Sequence, residues 1–307
     1  MKLLLACVNT NLSLVGYDWD KGEIFWTCPQ KLIRVCGAGY HGNDLLLSGD
    51  SFITRVMPDR YVRTELKGRH EALAHSVHVI DELSVGVVDT GNSRVVVLNR
   101  NGEIEKTYEP IRSWGDDLQD AIHLNDFAVT PHGILGSCFD YRPWREAREQ
   151  TSWEDWCSGG YGLVLNVTGS GGHGEGRVVG CGFNHPHSLK YIEPDLYLCS
   201  SATGIFHVCE FNGDSLLREK AQYRVTEDHF LRGACHADGG WYLGGSSTWH
   251  GEVLSDTMEI YFLEEASGRV EKRIIEGGGE IYDILPWREE ILEPIVERHF
   301  SNVLPYS

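Results

Sequence analysis

The sequence predicts an all-β fold: a six-bladed β-propeller with four-stranded blades, its last blade closed by N-terminal strands pairing with a C-terminal strand. Three observations carry the prediction. A unit of about 40–50 residues recurs along the chain, the size of a propeller blade. Each unit reads as short strands separated by tight turns. The two ends hold incomplete units that add up to one blade.

The clearest unit opens at His75. It runs His75-Ser76-Val77-His78-Val79-Ile80, a turn at Asp81-Glu82, then Leu83 to Asp89, a turn at Thr90-Gly91-Asn92, and Ser93 to Leu98. A last strand follows Asn101-Gly102, a strong hairpin signal. A second copy starts at His187, with strands at Asp195–Ser200, Gly204–Asn212 and Ser215–Val225. More diverged units run from about Lys31 to Gly68, from near His123 and from near Leu231. Residues 1–28 supply three strands, Lys2–Val8, Leu12–Tyr17 and Glu23–Cys28, and Glu280–Leu285 supplies one of the inner type. Three plus one completes a sixth blade and removes the exposed sheet edges that invite aggregation. Residues 1–307 therefore form one domain, with a short helical tail from Trp287 to Phe300 interrupted by Pro294.

Composition agrees. The chain of 307 residues has 35 Gly, 9 Trp, only 10 Pro and no charge-rich or Pro-rich linker. Hydrophobic residues make up 41%, enough for a core, and the net charge of −18 argues against a nucleic-acid or anionic-membrane partner. Leu4-Leu5-Ala6-Cys7 superficially matches a lipoprotein cleavage site, but the apolar stretch is shorter than a signal core of about 7–15 residues. It reads instead as a first strand. No apolar run approaches the ~20 residues of a membrane span. Nine cysteines, mostly inside strands and with no CxxC pair, read as free thiols of a cytoplasmic protein.

In a propeller the first strand of each blade lines the central channel. Aligning the units on the start of that strand brings His75, Asn125, His187, Arg232 and Glu280 to one rim, with Cys36 for the unit beginning near Lys31. Alternate blades supply His75, His187 and Glu280. Two imidazoles and a carboxylate suit a divalent metal with an open position: zinc first, with iron, manganese or calcium as further options. His123, His185 and His236 lie near the same rim, placed to support the metal ligands from behind or to act as a general base. Asn125 and Arg232 are placed to orient a polar or anionic substrate. His41, His132, His173, His207, His250 and His299 fall on turns or outer strands and read as solvent-facing.

Two long loops join second and third strands on that face. Phe139–Tyr161 carries Arg142, Trp144, Arg145, Trp153 and Trp156, and Ser246–Met258 carries Trp249 and His250. Aromatics with Arg suit either a ligand wall or a homo-oligomer contact. There is no GxSxG elbow, P-loop or Rossmann fingerprint.

On these residues the chain resembles two groups of propellers. Ile122-His123-Leu124-Asn125, Pro186-His187-Ser188, Phe230-Leu231-Arg232-Gly233 and Glu280–Pro286 look like successive motifs of an uncharacterised bacterial six-bladed propeller family of unknown function. Asp89-Thr90-Gly91-Asn92-Ser93-Arg94-Val95 is similar to an NHL-type repeat. Among NHL-like propellers, the peptidyl-hydroxyglycine amidating lyases carry zinc histidines in Pro-His-Ser/Gly/Asp contexts on alternating blades. Pro186-His187-Ser188 matches that context, and Ala74-His75-Ser76 matches except for the Pro. Glu280 departs from it, standing where that family has a third His. Asn125 is a weak echo of the gluconolactonase type, which binds its metal with carboxylates and Asn.

Two functions follow as expectations. One is a metal-dependent lyase or hydrolase acting on a small polar or anionic molecule at the channel mouth. The other is a non-catalytic propeller that binds a protein or glycan partner through its Trp-bearing loops.

Overall fold

The computed structural model describes residues 1–8, 10, 12–29, 34–110, 119–140, 142, 149–168, 176–213, 216–249, 252–253, 257–277 and 279–300. Six four-stranded antiparallel sheets form the blades of a propeller, as the repeat predicts. In chain order, blade 1 is the closing blade, made of Lys2–Val8, Leu12–Asp18 and Glu23–Pro29 with Glu280–Pro286 as its inner strand. Blade 2 spans 37–65, blade 3 74–108, blade 4 124–183, blade 5 186–224 and blade 6 230–276. The closing pair runs antiparallel from Leu3↔Pro286 to Val8↔Glu280.

Each sheet changes character outward. The second strand of blade 3, Ser84–Asp89, is buried along its whole length, while the outer strand of blade 5, Arg218–Arg224, alternates between exposed and half-buried. The apolar faces meet between blades, so the core is a ring of wedges. Blade 1 packs on blade 6 through Leu3, Leu5, Tyr242 and Ile260, and blade 3 packs on blade 4 through Val88, Val95, Phe127 and Leu165. Burying apolar area at about 25 cal/mol per Å² makes these wedges the main stabilising term.

Polar ties stitch the inner strands together. Asp126 in blade 4 accepts the backbone N–H of Leu189 in blade 5 (2.8 Å), and Asp283 in blade 1 accepts that of Ala38 in blade 2 (3.2 Å). Within blade 3, Asp89 ties its own turn together, accepting from Leu73 N, Asn92 Nδ2 and Arg94 Nε. All nine cysteines are free and seven are buried. The tail forms a helix, Glu289–His299, that runs through Pro294 where the sequence suggests a break. Its Ile291, Leu292 and Ile295 pack on Leu4, Leu14 and Leu45, contacts that hold the helix despite the missing proline donor. No helix among the described residues is long and apolar enough to cross a membrane.

Candidate functional site at the channel mouth

His75 and His187 start the inner strands Ala74–Val79 and Pro186–Ile192, and the two blades hold them in the same way. His75 Nδ1 lies 3.3 Å from the Leu73 carbonyl and 3.0 Å from Thr90 Oγ1. His187 Nδ1 lies 3.0 Å from the His185 carbonyl and 2.7 Å from Ser201 Oγ. Thr90 and Ser201 both open the short 3-10 turn that follows the second strand of their blades. A carbonyl only accepts, so each Nδ1 carries the proton. The Thr90 hydroxyl gives its own proton to the Leu124 carbonyl, which leaves it only an acceptor's role toward His75. Each Nε2 therefore presents its lone pair away from the strand.

Both rings are kept neutral. Burial, then the neighbouring His123, lowers His75 to about 3, with the cations Arg232 and Arg34 acting in the same direction. Burial, then Arg232, then His123 holds His187 well below its ordinary value. His185 is lowered to about 3, chiefly by burial. A buried imidazole with cations around it has no reason to take a proton.

Around the axis, side chains from five blades close a ring. His75 lies 5.9 Å from Tyr282, whose ring stands 4.2 Å from the Arg232 guanidinium. Arg232 lies 4.6 Å from Phe230, and Phe230 lies 5.4 Å from His187. His187 meets Phe139 at 4.9 Å, Phe139 meets His123 at 4.4 Å, and His123 returns to His75 at 5.9 Å. His123 is held by Asp120 at 2.8 Å. His185 packs on Phe139 and Trp156, each at 4.6 Å.

Glu280 is committed elsewhere. Its carboxylate pairs with Arg232 Nη1 at 2.8 Å, and both side chains are 3% exposed. Among the described residues no three His, Cys, Asp or Glu side chains form a group that could hold a metal ion. The guanidinium on Glu280 stands against a cation at the same carboxylate, so the set His75, His187 and Glu280 does not fit a metal as arranged.

The register explains why. Asp126 and Asp283 do the same work, each binding the next blade's N–H and the amide of the residue after itself. Aligned on them, Glu280 matches His123 and Tyr282 matches Asn125, which corrects the expected pairing of Glu280 with Asn125. The donors Leu189 and Ala38 likewise match, which places Cys36 with His187 as the sequence suggests. Inner strands carry a β-bulge near their start in blades 3, 4, 5, 6 and 1 but not in blade 2. Each adds a residue that sequence alignment absorbs silently.

Other expected residues land differently. His236 lies four residues past Arg232, one of them in the bulge, so about 10 Å along the strand, against Trp241 and 3.3 Å from Glu265, towards the other end of the strand from the mouth. It is not a mouth residue. Arg142 binds Asp140 through Nε and Nη2 and Thr151 through Nη1, so it anchors its own loop rather than a ligand. Asp140 also accepts the Trp156 indole N–H at 3.0 Å, which lays Trp156 as a lid over Phe139 and His185. That lid holds a short helix, Trp153–Ser158, capped by Ser152. Trp144, Arg145, His250 and the side chains of Trp153 and Trp249 lie outside the described residues. His41 and His207 are buried, not solvent-facing. His207 bridges Ser200 and Glu219, and His41 meets the Glu82 carbonyl and Arg55.

The sequence reading missed Phe139, Phe230, Tyr282, Thr90 and Ser201. The parallel Asp89-Thr90 and Ser200-Ser201, each closing a second strand, is the one signal that pointed to the hydroxyls. It also missed a second layer below the mouth. There His78 Nε2 pairs with Asp126 at 2.7 Å and Lys190 faces Asp283 at 3.8 Å, joining four blades.

No protein-family model and no curated protein matches the chain. Solved structures do. A protein of unknown function from Bacteroides caccae is 15% identical with a TM-score of 0.60, over 94% of this chain and 99% of that one. The chain is similar to one in a nidogen/laminin complex at 10% identity and TM-score 0.58, covering 92% and 97%. Virginiamycin B lyase from Staphylococcus aureus is 10% identical with a TM-score of 0.54, covering 87% and 78%. At these identities the likeness is one of fold, and these neighbours are propeller proteins.

Proposed function

We propose that this protein is an enzyme that binds a small polar molecule at the channel mouth and moves a proton on it, as a lyase or hydrolase does. The observation that carries the reading is the duplicated device in blades 3 and 5. It fixes two neutral imidazoles with Nδ1 protonated and Nε2 bare. A general base needs an unprotonated lone pair within reach of its substrate, and orienting it through the other ring nitrogen is the usual means. His75 and His187 are the bases in this reading. His123 and His185 complete the wall with Phe139, and the Trp156 lid excludes water. Arg232, neutralised by Glu280 and flanked by Phe230 and Tyr282, positions substrate rather than attracting it by charge. The distant lyase neighbour is compatible with this reading and does not carry it. Nine unpaired cysteines fit a cytoplasmic setting.

A second reading keeps a divalent metal on His75 and His187 alone. Its support is the same tether, since metal-binding histidines commonly donate their other N–H to a carbonyl. Partner capture through tryptophans has less support, because Trp156 is 4% exposed and faces inward.

The test profiles a pool of small cellular metabolites incubated with wild-type protein and with a His75→Gln/His187→Gln double variant. The reading expects a compound consumed by the wild type and spared by the variant. Equal consumption by both, or none by either, contradicts it. Metal analysis of untagged protein separates the two readings: stoichiometric metal lost in the double variant supports the second.

A further inference from the structure

At the level of the two imidazoles the fold leaves polar groups without partners. Asn125 is 2% exposed, and neither its Oδ1 nor its Nδ2 has a hydrogen-bond partner among the described residues. The Nε of Arg232, a residue also 2% exposed, is in the same condition. Buried polar groups are almost always paired, so three such atoms in one channel call for an explanation. Asn125 matches Tyr282 in register, each standing just before its Asp tie and in the bulge of its strand. Tyr282 lies between Arg232 and His75, on the axis side. Asn125 takes the corresponding place in blade 4.

We propose that Asn125 and Arg232 read an amide on the substrate. The inference rests on the mouth being a small-molecule site and names the class of molecule it takes. An amide carbonyl has two lone pairs, one for Asn125 Nδ2–H and one for Arg232 Nε–H. An amide N–H is the donor that Asn125 Oδ1 lacks. A carboxylate meets the two donors but sets an acceptor against Oδ1. The charge of Arg232 is already met by Glu280, so a neutral group loses little there to an anion. Phe139, Phe230 and Tyr282 add aromatic walls suited to a planar group beside the amide.

Benzamide and benzoate are nearly isosteric probes that differ in the donor. Saturation-transfer NMR on the intact protein should show benzamide binding at least ten-fold tighter than benzoate. Asn125→Leu should abolish benzamide binding. Asn125→Asp, which keeps the shape and removes the amide donor, should weaken it ten-fold or more while the protein stays folded. His236→Gln, a change away from the mouth, should leave it within about two-fold. Equal binding of the two probes, no benzamide binding to the wild type, or benzamide retained by both Asn125 variants overturns the proposal. So does a crystal structure in which a water satisfies Asn125 and Arg232 and stays in place with benzamide present. None of these outcomes touches the protonation of His75 and His187, so the amide proposal and the proton-transfer reading fail separately.

Discussion

Keeping imidazoles neutral in the fold has a cost that appears on acidification. His75 and His185 are each lowered to about 3, whereas a histidine in the unfolded chain titrates near 6.5. Below that value the unfolded chain binds protons that the folded protein refuses, so stability falls as the pH falls. The loss begins near the unfolded value and continues down to the folded one. Between pH 7 and pH 5 each of these two histidines removes about 2 kcal/mol, from 1.36 kcal/mol per unit over about 1.5 units. Carboxylates contribute to the same slope, so the informative quantity is a difference. Urea denaturation of the wild type and of His75→Gln at both pH values gives it. The variant should be less sensitive to acid by about 2 kcal/mol, whatever its stability at pH 7. His185→Gln should behave alike. An acid sensitivity unchanged to within about 0.5 kcal/mol would refute the claim that these rings stay neutral in the fold.

Other perturbations test neighbouring parts. Arg232→Met takes the guanidinium from the Glu280 carboxylate at 3% exposure and should cost about 3–5 kcal/mol in urea denaturation, most of it recovered by adding Glu280→Gln. Trp156→Phe removes the indole donor to Asp140, costs about 1–2 kcal/mol, and should raise the reactivity of His185 toward diethyl pyrocarbonate as the lid loosens. Ending the chain at Pro286 removes Ile291, Leu292 and Ile295 from the seam of blades 1 and 2. At about 1.5–3 kcal/mol per side chain the melting temperature should drop by at least roughly 10 °C.

The architecture was legible because its evidence is periodic. Glu280–Leu285 reads as an inner strand with nowhere to pair except the three strands left over at the N-terminus, and it pairs there. The two histidines were legible for the same reason, since His75-Ser76 and His187-Ser188 open the two best copies. The rest of the site depends on properties that carry no period. Glu280 stands three residues before the Asp that ties its blade to the next and Asn125 only one, an offset with no mark in composition, so aligning strand starts treated them as equivalent. His236 shares a strand with Arg232, and only strand rise separates them towards its opposite ends. Phe139 and Tyr282 look like ordinary core aromatics until the ring closes around the axis. Arg142 was legible as a loop residue, but its choice of Asp140 over a ligand is a matter of tertiary contact.

The central claim is that His75 and His187 each carry their proton on Nδ1 and leave Nε2 bare. Long-range proton–nitrogen correlation NMR of histidine-labelled protein reads this directly, with His75→Gln and His187→Gln supplying the assignments. The account predicts the Nδ1–H tautomer for both rings from pH 7 down to pH 5, with no titration in that range. Protonated rings at pH 5–7, or the Nε2–H tautomer at either position, would contradict it.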